Sequence, residues 1–222
     1  MALKDLNQLQ KDRVIVVRAC DKGAGIMLLD FEDYLRACYN HLTAQLTPGK
    51  PYYSPVNALD VEKANQNIKD VLKEGLDAKI ITQAENNEMN PDDKDVSRFY
   101  CNFKVHKKHE YKKAPPERPI ISQSGSICEN IGAYVEHQIR HIAKKHDSYL
   151  EDTPDFLREI VKINNGPKLG VNTVLVTMDA IGLFTNIIHE EGMEEMEYKL
   201  NEREKKNVPT DFIMKLMKLI LY

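Results

Sequence analysis

Val174-Leu175-Val176-Thr177-Met178-Asp179-Ala180-Ile181-Gly182-Leu183-Phe184-Thr185-Asn186-Ile187-Ile188 is the stretch on which the reading of the fold turns. Its apolar, largely β-branched first five residues predict a buried strand. That strand runs straight into Asp179, and a carboxylate at a strand end is fixed rigidly at a sheet edge. Mg²⁺ is a hard ion that takes oxygen ligands, commonly one or two carboxylates together with substrate phosphates, so this is a position from which metal-assisted phosphoryl transfer can be run. Taken by itself, the pattern also fits a turn or a helix cap. His189-Glu190-Glu191 follows. Acids there suit the first turn of a helix, so these residues are expected to serve the helix dipole rather than a metal cluster.

Upstream, Val14-Ile15-Val16-Val17 and Ile26-Met27-Leu28-Leu29 flank Asp21-Lys22-Gly23-Ala24-Gly25 and predict a hairpin. The glycines lack the spacing of a P-loop or dinucleotide fold, so the turn is expected to be a hairpin turn. Asp30 predicts the N-cap of a helix over 31–44. Pro48 to Pro55 reads as a loop, 58–74 as a helix, Thr82 to Met89 as a short helical stretch, and the polar residues up to Asp95 as a loop. Phe99–Val105 and Pro119–Ile121 predict strands joined by a basic loop. Helices are predicted over 127–145, from Thr153-Pro154 to about 163, over 189–204 and over 209–222. Strands and helices alternate irregularly, which predicts an α+β fold rather than a doubly wound sheet.

Composition narrows the classes. The 222 residues are 42% apolar and 29% charged, as in ordinary globular proteins. No apolar run approaches the roughly 20 residues needed to span a bilayer, and Leu3-Lys4-Asp5-Leu6-Asn7 does not read as a signal peptide. An intracellular protein is expected, with its four cysteines reduced and mostly buried. Net charge is −3, which excludes a uniformly basic nucleic-acid binder. The charge is unevenly spread, however. Residues 104–118 hold six Lys/Arg and two Glu, whereas 190–197 hold five Glu. Local patches rather than the total decide where a phosphate backbone docks.

Four segments in order carry a resemblance: Asp21-Lys22-Gly23-Ala24-Gly25; Arg98-Phe99-Tyr100-Cys101-Asn102-Phe103-Lys104-Val105-His106-Lys107 continuing to Arg118-Pro119-Ile120-Ile121-Ser122; Ser148-Tyr149-Leu150-Glu151-Asp152-Thr153; and the stretch around Asp179. Together they resemble the reverse transcriptase of Penelope-like retroelements, from about residue 14 to 222. That family reads Asp-Lys-Gly-Gly, Phe-Tyr-x-Leu-Pro-Lys-Ile-His-Lys, Arg-Pro-Ile-Val-Ser, Ser-Tyr-Ile-Lys-Asp-Thr and Leu-Val-Thr-Leu-Asp-Val-x-Ser-Leu-Tyr-Thr-Asn-Ile-Pro. The chain departs at Asn102-Phe103, Gly182, Phe184 and Ile187, changes that leave the charged positions intact.

The resemblance implies a right-hand polymerase: a fingers-like region with a helical insertion over 1–146, and the start of the palm over 147–222. It implies RNA-directed DNA synthesis on an RNA template and DNA primer from deoxynucleoside triphosphates, with two Mg²⁺ ions and no membrane. Asp179 falls at the catalytic metal-ligand position, with the Ala180 carbonyl beside it. Phe184 falls at the steric gate that excludes a 2′-hydroxyl, the alternative being a core phenylalanine. Lys104 and Arg118 fall at triphosphate-contacting positions of the fingers. Lys22 is expected near the template, and Lys107, Lys108, Lys112 and Lys113 at template backbone or in solvent. No Gly-rich palm motif and no Tyr-x-Asp-Asp follows Asp179, and the Asp92-Asp93 pair lies upstream in a polar loop. The sequence therefore reads as an amino-terminal portion of the polymerase, inactive alone, whose parent would act in the nucleus and could carry a downstream endonuclease. The alternative is a non-catalytic or domesticated relic that only binds nucleic acid.

Overall fold

The computed structural model describes residues 2–23, 25–47, 49–51, 53–105, 107, 115–180 and 183–222. The chain is mixed α+β. In order it forms α1 (Ala2–Lys11), β1 (Ile15–Ala19), β2 (Ile26–Asp30), α2 (Phe31–Leu42), β3 (Gln45–Thr47), β4 (Lys50–Pro51), α3 (Ala58–Asp77), α4 (Gln83–Met89), β5 (Arg98–Phe103), β6 (Glu117–Ser122), α5 (Glu129–Ala143), α6 (Thr153–Asn165), α7 (Leu183–Asn186), α8 (His189–Asn201) and α9 (Thr210–Leu221). Two compact units share this order: Met1–Gln66 with Pro91–Glu129, and Asn67–Asn90 with Asn130–Tyr222.

The first unit holds three antiparallel hairpins among the described residues, β1–β2, the short β3–β4 and β5–β6. β1 pairs with β2 in the register Val16↔Leu29 and Arg18↔Met27, across a 3₁₀ turn over Asp21–Gly23. That turn needs left-handed backbone. Gly23 supplies it at φ 67 without steric cost, and Lys22 adopts it at φ 59. β2 passes directly into α2 because the Asp30 side chain accepts hydrogen bonds from the Glu32 and Asp33 N–H groups, at 2.9 and 3.3 Å. β5 pairs with β6 in the register Cys101↔Pro119 and Asn102↔Arg118.

Each element contributes to the core at its own period. Buried Val16 comes from β1, Tyr34, Ala37 and Cys38 from one face of α2, and Cys101 and Phe103 from alternate positions of β5. Met27, Leu29, Phe31 and Phe99 pack against them. One charged side chain enters this region. The Arg18 guanidinium lies 5.3 Å from the Tyr34 ring centroid and 5.1 Å from that of Tyr100, and donates to the Tyr34 hydroxyl at 3.1 Å. Aromatic faces are attractive partners for a guanidinium that has left water. The same hydroxyl accepts the Cys101 N–H at 3.4 Å, tying α2 to β5.

The second unit is helical. Ile68 and Leu72 of α3, Ile131 and Val135 of α5, Leu200 of α8 and Phe212, Ile213 and Leu216 of α9 are buried. The Phe212 ring lies against Gly75 so closely that a Cβ at that position would sit 2.5 Å from it. α8 and α9 are joined by buried Arg203, whose Nε donates to the Leu200 carbonyl at 2.9 Å and whose terminal nitrogen donates to that of Val208 at 3.0 Å. A cation among carbonyls at a helix C-terminus satisfies both partners. α4 opens on a capping box, Thr82 with Glu85, as the Thr-x-x-Glu spacing requires.

The strand expected over 174–178 does not form. Residues 172–180 carry no regular secondary structure, and Leu175 is 98% exposed, with Val174, Val176 and Met178 also exposed. A strand exists only through a neighbour that takes up its N–H and C=O groups, and no other strand pairs with these residues among those described. Helix α6 is similar, since it is amphipathic yet has no buried residue. Its N-cap is Asp152, whose side chain accepts the Asp155 N–H at 2.8 Å, one residue before the Thr153 expected there. The Pro48–Pro55 region contains part of the short β3–β4 hairpin, where a loop is expected, and α1 forms where no element is predicted, while α4 ends at Met89 as expected.

Candidate nucleotide and nucleic-acid site

The expected site residues divide between the two units. Lys22, Lys104, Lys107 and Arg118 belong to the first; Asp179, Ala180 and Phe184 belong to the second. Lys108, Lys112 and Lys113 lie outside the described residues, as does the side chain of Phe184, whose backbone is in α7.

In the first unit two motifs far apart in sequence meet. Arg118 is directly opposite Asn102 on β6, so its side chain shares a face of the hairpin with Asn102 and, diagonally, Tyr100. On that face its terminal nitrogen lies 3.6 Å from Oδ2 of Asp21, in the turn between β1 and β2. Asp21 is only 7% exposed, whereas the Arg118 side chain is 49% exposed. The Oδ2 atom makes no hydrogen bond, so the guanidinium is its electrostatic partner. The neighbouring acid, Glu117, faces His41 instead, at 3.3 Å from its Nε2.

Exposed ion pairs contribute roughly 0–1 kcal/mol. With one partner buried, the direct attraction rises to about 4 kcal/mol at an effective dielectric near 20, and desolvation of the carboxylate offsets part of it. Arg118 is thus tethered at one edge while half of its side chain stays open to solvent. A guanidinium has five N–H donors in a planar fork, so one edge can face a carboxylate while another takes a phosphate.

Lys22 is exposed next to Asp21. Lys104 follows β5 and continues its pairing, its N–H donating to the Pro116 carbonyl at 2.8 Å. Lys107 is exposed, and its N–H donates to the Lys104 carbonyl at 2.9 Å, turning the chain at the start of the basic loop. The site therefore combines an ordered arginine with exposed lysines on short, hydrogen-bonded segments. That arrangement suits a polyanion better than a neutral ligand.

In the second unit Asp179 and Ala180 stand on the exposed stretch without a strand. The Asp179 carboxylate is a hard oxygen donor of the kind Mg²⁺ takes, but among the described residues no group of three or more His, Cys, Asp or Glu is gathered to hold a metal ion. None of the four cysteines forms a disulfide, and Cys20, Cys38 and Cys101 are buried, as expected. Burial, with the Cys38 thiol as the next contribution, pushes the Cys101 thiol up to about 12. It is packing, not a nucleophile. No helix among the described residues is long and apolar enough to cross a membrane.

Sequence reasoning missed Asp21 as the partner of Arg118, and the packing of Arg18 against Tyr34 and Tyr100. The first was visible only as part of a turn motif, and nothing local couples residue 21 to residue 118. Comparison of the chain with protein-family models, curated proteins and solved structures finds no match.

Proposed function

We propose that this chain carries the nucleotide-binding fingers and the first palm segment of an RNA-directed DNA polymerase of the Penelope-like type. Its substrates would be deoxynucleoside triphosphates and its partners an RNA template and a DNA primer. The observation that carries the reading is the convergence of the Asp21-Lys22 turn and Arg118 on one face of the first unit. Those are two of the charged segments on which the resemblance rests.

In this reading the Arg118 guanidinium takes the triphosphate through paired N–H donors, and Lys104 adds a point charge. Both offset the charge that gathers on the phosphates as the bond to the leaving pyrophosphate breaks. Phe184 excludes a 2′-hydroxyl and so selects the sugar. Asp179 is the residue that would hold Mg²⁺, whose contribution is to activate the primer hydroxyl and neutralise the leaving group. Lys22, Lys107, Lys108, Lys112 and Lys113 bind template backbone.

The test is titration of the purified chain with Mg²⁺ and a fluorescent deoxynucleoside triphosphate. Saturable binding is expected, and Arg118→Ala should weaken it by about tenfold or more, the cost of a lost charge-assisted pair. Binding unaffected by Arg118→Ala would remove the nucleotide from this face.

The exposure of Asp179 on an unpaired stretch favours a second reading, a non-catalytic nucleic-acid-binding domain. Single-stranded RNA binding with a log–log salt slope near −0.7 per phosphate contact, flattened by replacing Lys107, Lys108, Lys112 and Lys113, is common to both readings. Triphosphate binding distinguishes them.

A further inference from the structure

Asp21 is buried in a tight turn with one carboxylate oxygen lacking any hydrogen bond, and the cation facing that oxygen is Arg118. Buried polar atoms without a hydrogen bond are rare and call for a reason. The turn that holds Asp21 is itself constrained, with left-handed backbone at Lys22 and Gly23 and the Cys20 N–H donating to the Gly25 carbonyl at 2.9 Å. Cys20, immediately before it, is buried. Arg18, three residues back on the same hairpin, is fixed between the Tyr34 and Tyr100 rings. The carboxylate therefore stands on a rigid mount, while the arginine it faces is long and half exposed, with rotamer freedom to lose.

We propose that Asp21 is a positioning residue for Arg118, holding one edge of the guanidinium so that the opposite edge is presented to the phosphates of a nucleoside triphosphate. The proposal rests on the nucleotide-binding reading of Arg118 given above. Two physical effects of this carboxylate on anion binding have opposite signs. As a nearby negative charge it repels the phosphates, and by that effect alone its neutralisation would tighten binding. As an anchor it removes rotamer freedom from Arg118 before the ligand arrives, and its loss would weaken binding. The constrained turn and the facing guanidinium indicate that anchoring dominates.

The experiment is a titration of the full chain with Mg²⁺-deoxythymidine triphosphate, comparing wild type with Asp21→Asn, Asp21→Glu, Arg118→Ala and the double variant Asp21→Asn/Arg118→Ala. Asp21→Asn is expected to weaken binding about tenfold, the scale of one misplaced charge-assisted hydrogen bond. Asp21→Glu, which keeps the charge on a longer arm, should recover part of the loss. In the Arg118→Ala background Asp21→Asn should have no further effect, because an anchor acts only through what it holds. Melting temperature and the salt slope of single-stranded RNA binding, measured on the same variants, report any general loss of folding. A merely structural Asp21 would lower both and would remain additive with Arg118→Ala.

Tighter triphosphate binding by Asp21→Asn overturns the proposal, as does an effect that persists in the absence of Arg118. If Arg118→Ala weakens binding and Asp21→Asn leaves it at the wild-type value, the positioning role is lost while the nucleotide-binding reading stands. If the wild-type chain shows no saturable triphosphate binding, that reading fails and the positioning role falls with it.

Discussion

Val14-Ile15-Val16-Val17 and Val174-Leu175-Val176-Thr177 are nearly interchangeable as compositions, yet they end in opposite states. The first largely becomes β1, with Val16 in the core. The second has no strand and is solvent-exposed. The difference lies in what surrounds them. β1 has β2 within reach across a short turn, and its Val16 meets α2 and β5. Residues 174–177 are followed by Asp179 and the short α7, and no described strand pairs with them. β-propensity records how well a side chain suits a pleated, half-buried surface; it does not supply that surface.

The largest effect that could break this comparison is in amide exchange. The amides of β1 and β5 should be protected at least about a thousandfold more than those of Val174 to Met178, because the former open only with their unit and the latter have no ladder to open. Hydrogen–deuterium exchange read by NMR or mass spectrometry measures this directly. Comparable protection in both regions would mean that 174–178 finds a strand partner in solution. Urea unfolding sharpens the contrast at the level of side chains. Phe103→Ala, in the first unit's core, should cost about 3–5 kcal/mol. Leu175→Ala should stay within about 0.5 kcal/mol, as a surface change.

A smaller effect separates the regions by pH. The folded state keeps the Cys101 proton to about 12, whereas the ordinary value is 9.0. Above the ordinary value the unfolded chain releases a proton that the folded chain retains, so stability is lost between those two pH values and unaffected below them. The slope should approach about 1.4 kcal/mol per pH unit for one such group. Burial raises Tyr34 in the same core, which adds to the trend at higher pH. Cys101→Ala should reduce the slope in urea titrations at pH 9 to 11. An unchanged slope would place the alkaline sensitivity outside this core.

What could be read in the sequence was what local chemistry decides. The β1–β2 hairpin, the Asp30 cap of α2, the helical stretch of α4 and the paired β5 and β6 each carry their signal within a few residues. The α6 start shifted by one residue because Asp152 and Thr153 are both good caps, and only geometry decides between them. Helix α1 was within reach of the sequence, since Leu3, Leu6 and Leu9 recur at helical spacing. The stretch at 174–178 failed for the opposite reason, its signal being strong and its partner lacking. In the candidate site Arg118 was singled out, but its coupling to Asp21 joins residues from separate hairpins, and no period or spacing encodes that.

The meeting of Gly75 with Phe212 has a consequence for how the protein is made. The two are 137 positions apart, and Ile68 and Leu72 of the same helix are buried in the same unit. A ribosome adding about 5–20 residues per second leaves the apolar stripe of α3 without Phe212 for roughly ten seconds. The hairpins of Met1–Gln66 are made before that interval, and the β5–β6 hairpin emerges and can close within it. Synthesis order thus gives the first unit a head start and leaves α3 as the nascent segment with most need of a chaperone.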